Sequence, residues 1–153
     1  MPTMSDPTDP PDPFDLQRFV SAQERVYATV LAELRSGRKQ SHWMWYIFPQ
    51  IDGLGYSSTS KRYAIKSLSE ARAYLQHPLL GSRLVECAAI VLQLTGRSAS
   101  AIFGAPDDMK LRSSMTLFAA VPDADPVFAQ VLEKYFAGQP DRATLDLLAK
   151  LEA

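Results

Sequence analysis

Cysteine is all but missing from this chain. Cys87 stands alone among 153 residues, so no intrachain disulfide can form, and the count fits a reducing compartment. An excess of charge is missing too. Lys and Arg number 16 against 17 for Asp and Glu, a net charge of −1, so the total draws the protein neither to nucleic acid nor to an anionic membrane surface. No apolar run approaches the roughly 18 residues of a membrane span. The opening residues, MPTMSDPTDPPDPF, lack the basic start and apolar stretch of a secretory signal, and the cytoplasm is the expected location. Walker, Gly-x-Gly-x-x-Gly and His-Glu-x-x-His motifs are absent. His42, His77 and Cys87 match no zinc spacing, so neither a metal nor a cofactor is expected.

What is present is helical periodicity. With 46% apolar and 22% charged residues, the composition is that of an ordinary globular protein, long enough for one domain with a real core. Residues 1–11, rich in Pro and Asp, read as a disordered tail, and 12–153 as a single helical domain. From Pro13 to Ser36, Leu16, Phe19, Val20, Val26, Tyr27, Val30, Leu31 and Leu34 form one stripe at helical spacing. Asp12 is placed to cap it, Pro13 suits its first position, and Gly37 suits a left-handed exit. A short helix is expected near Ser60 to Lys66. Ser67 and Glu70 then form a Ser-x-x-Glu capping box that opens a helix toward Gln76.

His77 before Pro78 marks a break, after which Pro78 to Leu94 reads as the central helix. Ser98 caps a turn ending at Gly104, and Pro106 starts a helix that Pro122 stops. Asp125 and Pro126 open the next, to Gly138, and Asp141 caps the last. The expected architecture is all-α: one compact domain of about six to eight short-to-medium helices.

One stretch holds more aromatics than a single buried face needs. Both tryptophans and one of the two histidines lie within SHWMWYIFPQIDGLGY, residues 41–56. The run from His42 to Phe48 reads as a short helix, capped by Ser41 and ended before Pro49, which disfavours helical dihedrals in the residue ahead of it. A buried strand is the competing reading, because short apolar runs do not separate the two. Helix is expected, since no other convincing strand exists to pair with it. On a helix Trp43 and Ile47 share one face, and Trp45 and Phe48 another, so the segment would touch core on one side and a cleft on the other. Residues 50–58 read as a glycine-bearing loop.

These motifs resemble a bacterial family known as domain of unknown function 1810. The matching residues are Phe19, Ala22 and Gln23, then Gly37 and Lys39, then SHWMWYIFPQ and GLG. Further matches are Tyr63 to Ile65, EARAYLQHPLLGSRL from Glu70 to Leu84, and Ile102 to Phe118 with its FG, Asp108, Lys110, Leu111 and SSMTLF. The resemblance covers roughly residues 14–148. It implies a mainly helical single domain and no established reaction; the label calpastatin, sometimes given to members, has no physical basis. The order of an aromatic-Pro motif followed by Ala-x-x-Tyr-Leu-x-x-Pro-x-x-Gly-x-Arg is also similar to a helical superfamily linked to ADP-ribose and riboflavin-intermediate metabolism, some members of which are N-glycosidases.

The residues themselves suggest a site at the aromatic segment. Aromatic faces stack on flat rings, His42 is a candidate acid or base, and Gln50 is placed to hydrogen-bond a ligand edge. Arg35, Arg38 and Lys39 precede the cluster and Lys61, Arg62 and Lys66 follow it; were they to converge, they would form a local anion site. Lys110 and Ser114, four apart on a helix, could reach a common ligand. The expected ligand-binding set is Lys39, His42, Trp43, Trp45, Gln50, Tyr63, Lys110 and Ser114, around a phosphorylated, ring-containing small molecule such as a nucleotide or an ADP-ribose derivative.

Plainer readings stand beside each of these: His42 packed among its neighbours, all four aromatics in the core, the basic residues a solvated rim, and Asp107 and Asp108 merely complementing a helix dipole. His77 reads as ending one helix and donating to a backbone carbonyl, and Arg83 could pair with Glu70 or Glu86 as readily as with a phosphate. Ser58 to Lys61 matches Ser-x-x-Lys, but the companion motifs of acyl-serine enzymes are missing. The alternative of an N-glycosidase requires a carboxylate facing a sugar; Asp52, Glu70, Asp107 and Asp108 are the candidates, with Asp52, Asp108 and His42 foremost for catalysis. A non-catalytic interaction module is the third alternative.

Overall fold

The computed structural model describes residues 11–152. Apart from Pro11, the tail read over residues 1–11 lies outside them. Among the described residues, ten α-helices follow in order: α1 (Gln17–Glu24), α2 (Tyr27–Ser36), α3 (Met44–Ile47), α4 (Ser58–Tyr63), α5 (Leu68–Gln76), α6 (Leu80–Gln93), α7 (Ala99–Phe103), α8 (Asp107–Ala119), α9 (Val127–Phe136) and α10 (Arg142–Glu152). Among the described residues there is no strand, only a parallel bridge between Ile51 and Ile65. The all-α reading holds, and the helices are more numerous than expected.

The extra elements have local causes. The stripe from Pro13 to Ser36 is broken at Arg25 and Val26, so it forms α1 and α2. Just before the break, the buried Gln23 donates through Nε2 to the Tyr46 carbonyl at 2.8 Å and to the Tyr74 hydroxyl at 3.1 Å. Asp12 does cap α1, but across a tight turn: its carboxylate accepts from the N–H groups of Leu16 and Gln17. At the far end of α2, Gly37 takes φ 77° and its N–H donates to the Leu34 carbonyl, while that of Arg38 donates to Glu33. This paired motif closes a helix where only glycine adopts the left-handed turn without strain.

α6, the helix expected at the centre, packs against α2, α5 and α9. It shares the core with α8, which is buried along Leu111 and from Ser113 to Phe118 and packs against α5, α7, α9 and α10. An aromatic chain crosses the core from Phe19 to Tyr74, Phe118 and Phe128, with ring centroids 5.1–5.8 Å apart. α6 approaches the end of α5 so closely that a Cβ at Gly81 would lie 2.1 Å from the Leu75 carbonyl oxygen. His77, between them, is a structural cap: its Nδ1 accepts from the N–H groups of Leu79 and Leu80, rather than donating to a carbonyl.

Candidate functional site: the cleft beside Trp45 and Lys110

Glu33 organises the aromatic segment. Its buried carboxylate accepts from the backbone N–H groups of Gln40 and Ser41, the Ser41 hydroxyl and Trp43 Nε1, at 2.6–2.9 Å. Burial alone would raise its pKa, but these donors outweigh that effect and hold the carboxyl at about 2. Trp43 is thereby fixed in the core, 1% exposed, beside the equally buried Met44, Ile47 and Phe48. Helix α3 is a single turn, and Phe48 leaves it in a non-helical conformation that carries its ring inward to Phe103, 6.0 Å away. The face expected to pair Trp45 with Phe48 is therefore split: Phe48 joins the core, and Trp45 and Tyr46 stay half-buried.

A chain of contacts runs from Glu33 to the surface. The ammonium of Lys39 donates to the Ser41 carbonyl and lies 2.8 Å from Asp107, with a side chain only 6% exposed. Asp107, in the first turn of α8, also pairs with Lys110 at 3.4 Å. The two lysines stand over the two tryptophans, Lys39 5.0 Å from a ring centroid of Trp43 and Lys110 4.9 Å from one of Trp45, a cation–π arrangement at each. Two ammonium groups around one carboxylate leave this corner with one positive charge.

Two adjoining hollows open here, sharing Gln50, Gly55 and Ser60 as their common wall. The first, beside Trp45, Asp52 and Tyr63, has room for only about 10 Å³, the space of one water. The second holds about 210 Å³ between the loop at Leu54, the start of α8 at Pro106, Met109, Lys110 and Ser113, and the start of α10 at Asp141 and Ala143. The second has the room; the first supplies the aromatic edge. Asp52 forms an exposed ion pair with Lys66 at 3.5 Å.

The structure thus gathers Trp45, Gln50, Tyr63 and Lys110 from the expected set, with Asp52 from the candidate acids. Lys39 and Trp43 lie behind the wall as supports. His42 is exposed and lines neither hollow; its carbonyl accepts a long hydrogen bond from the Tyr46 hydroxyl. Asp108 accepts from the Met109 N–H at the helix start and lines neither. Ser114 is fully buried and its hydroxyl has no partner among the described residues; Ser113 lines the second hollow instead. Lys61, Arg62 and Lys66 are exposed on or beside α4, and Arg35 and Arg38 are exposed near the end of α2. Glu70 is buried in an ion pair with Arg18 at 2.7 Å and accepts from the Lys66 N–H, a structural role. Burial pushes the Cys87 thiol up to about 12, so it is a core residue and no ready nucleophile.

The expected ligand-binding set does not contain Met109, Ser113 or Asp141, which line the second hollow. Asp141 was visible only as a helix cap, and it is one: Oδ2 accepts from the Thr144 N–H and hydroxyl. Its second position, on the cleft wall, follows from long-range contacts. Thr116 accepts from the Asp141 N–H, and Arg112 donates to the carbonyls of Gln139 and Pro140, which ties the start of α10 to α8.

Residues 13–148 match the family described as "Protein of unknown function (DUF1810)", and the chain belongs to it. Its fold is similar to that of the conserved hypothetical protein Rv1873 from Mycobacterium tuberculosis in its crystal structure. The two are 59% identical with a TM-score of 0.89, over 90% of this chain and 99% of that one. No curated protein matches.

Proposed function

We propose that this protein binds a phosphorylated, ring-containing small molecule in the second hollow, with Lys110 receiving the anion. The observation that carries this reading is Lys110 itself. It is an ammonium held at the cleft by Asp107, between the half-buried Trp45 and the hollow it helps to line. Gln50 stands on the wall shared by the two hollows, and its side-chain amide carries both a donor and an acceptor for a ligand edge. The cytoplasm is the compartment proposed for it, supported by a single free, buried cysteine. No helix among the described residues is long and apolar enough to cross a membrane.

A thermal-shift screen of nucleotides, ADP-ribose and single-ring phosphates tests the proposal. At least one phosphate should raise the melting temperature of the wild type and leave Lys110→Met unmoved; a flat screen would remove the reading. An N-glycosidase remains the second reading, because Asp52 and Asp141 place carboxylates on the walls of the two hollows. Release of free base from a nucleotide by the wild type, and its loss in Asp52→Asn or Asp141→Asn, would support it.

A further inference from the structure

We infer that the second hollow takes a single heteroaromatic ring bearing one phosphate on a short arm and a hydrogen-bond-donating group on the ring, and that Asp141 selects for that donor. The inference rests on the binding function proposed above and narrows it to a ligand class.

Size is the first ground. A volume of about 210 Å³ lies below the roughly 300–1,000 Å³ typical of pockets that enclose drug-sized ligands. A base, two sugars and a diphosphate would exceed this volume, whereas one ring with one phosphate is of a size to match it. The character of the walls is the second. Leu54, Pro106 and Met109 make much of the lining apolar. Met109 leaves 46% of its surface in water, and its thioether makes favourable contacts with aromatic rings. A flat ring covers such a wall better than a polyhydroxylated sugar, whose hydroxyls would lose water without gaining partners.

Polarity then sets the orientation. Lys110 is the cationic pole of the hollow and Asp141 its anionic pole. A phosphate near Asp141 would be repelled, so the phosphate belongs at Lys110 and the opposite pole needs a donor. Ser113 reinforces that sense: its hydroxyl donates to the Met109 carbonyl, which leaves the oxygen free to accept. Asp141 is held rigidly enough to discriminate, with its N–H on Thr116 and one oxygen engaged by Thr144. A phosphate lacking the donor would desolvate this carboxylate without pairing it, and that penalty is the basis of selection.

Calorimetric titration of the full chain tests the inference with pyridoxamine 5′-phosphate, which carries ring, phosphate and amine, set against unphosphorylated pyridoxamine, AMP and ADP-ribose. We expect pyridoxamine 5′-phosphate to bind most tightly. Lys110→Met and Asp141→Asn should each weaken it about tenfold or more, the worth of one charge-assisted hydrogen bond. Asn is itself a good N-cap, so Asp141→Asn keeps the helix start intact. Should AMP or ADP-ribose bind as tightly or more tightly, with Asp141→Asn indifferent, the single-ring class falls while the phosphate-binding reading stands. Equal binding of pyridoxamine would overturn the phosphate pole, and silence from every phosphate would overturn both.

Discussion

Trp43 and Trp45 are the same residue two positions apart, and they have opposite fates. Trp43 is sealed, its indole N–H held by the Glu33 carboxylate and its ring against Phe48. Trp45 is half-buried on the edge of a hollow, with an ammonium across its face. Composition is the same in both; what differs is the partner each meets. One meets a buried acid that fixes the loop from residue 40 to residue 43. The other meets Lys110, which is paired with Asp107, itself anchored by Lys39. The inner half of the segment is core, and the outer half lies on the wall of a hollow.

The contrast breaks most visibly under truncation. Trp43→Ala should cost about 3–5 kcal/mol, the usual range for emptying a large core site, whereas Trp45→Ala should cost roughly 1 kcal/mol, since much of its ring is already solvated. Urea midpoints of the two variants measure the difference; equal losses would mean that the two indoles are equally structural. The sealed interior should also refuse additions. Gly81→Ala places a Cβ against the Leu75 carbonyl, and we expect a loss of about 3 kcal/mol, the upper part of the overpacking range.

Glu33→Gln keeps the shape and removes the charge, and should cost about 2 kcal/mol at neutral pH through weakened hydrogen bonds. Its pH dependence is the sharper test. The folded carboxyl sits at about 2 against an ordinary 4.5. Its stabilising effect is therefore complete above about 4.5 and is lost as the pH falls through about 2. The stability gap between wild type and Glu33→Gln should narrow across that window, as followed by denaturant titration at a series of pH values. A constant gap would show that the charge of Glu33 is not what pins the loop. Smallest of all, Lys110→Met should change stability by less than about 0.5 kcal/mol, because its ion pair is partly solvated. That variant separates the proposed role of the outer wall in binding from any role in folding.

Much of the fold is legible in the chain because caps and breakers act locally. Ser57, Ser67, Ser98, Asp125 and Asp141 each accept from a helix-start N–H within three residues. The split between α1 and α2 is not legible, because neither glycine nor proline stands at Arg25 or Val26, and the bonds of Gln23 to Tyr46 and Tyr74 span long sequence distances. At the site, the residue types were readable and their facing was not. Lys39 and Lys110 could be seen as cations, but only the fold joins them through Asp107. Ser113 and Ser114 are neighbours with equal claims until helix packing buries both and sets only Ser113 on the wall of the hollow. Asp141 lies 31 positions beyond Lys110, and no local pattern links a cap to a cleft.

Two tryptophans in one chain permit a direct test of the central claim, that the outer half of this segment faces a ligand and the inner half does not. In a heteronuclear NMR titration with AMP, ADP-ribose and pyridoxamine 5′-phosphate, the two indole N–H signals can be assigned with Trp43→Phe and Trp45→Phe. We predict that a binding phosphate moves the Trp45 signal progressively and leaves that of Trp43 in place. Movement of Trp43 alone, or of neither signal with any of the three compounds, would contradict the account.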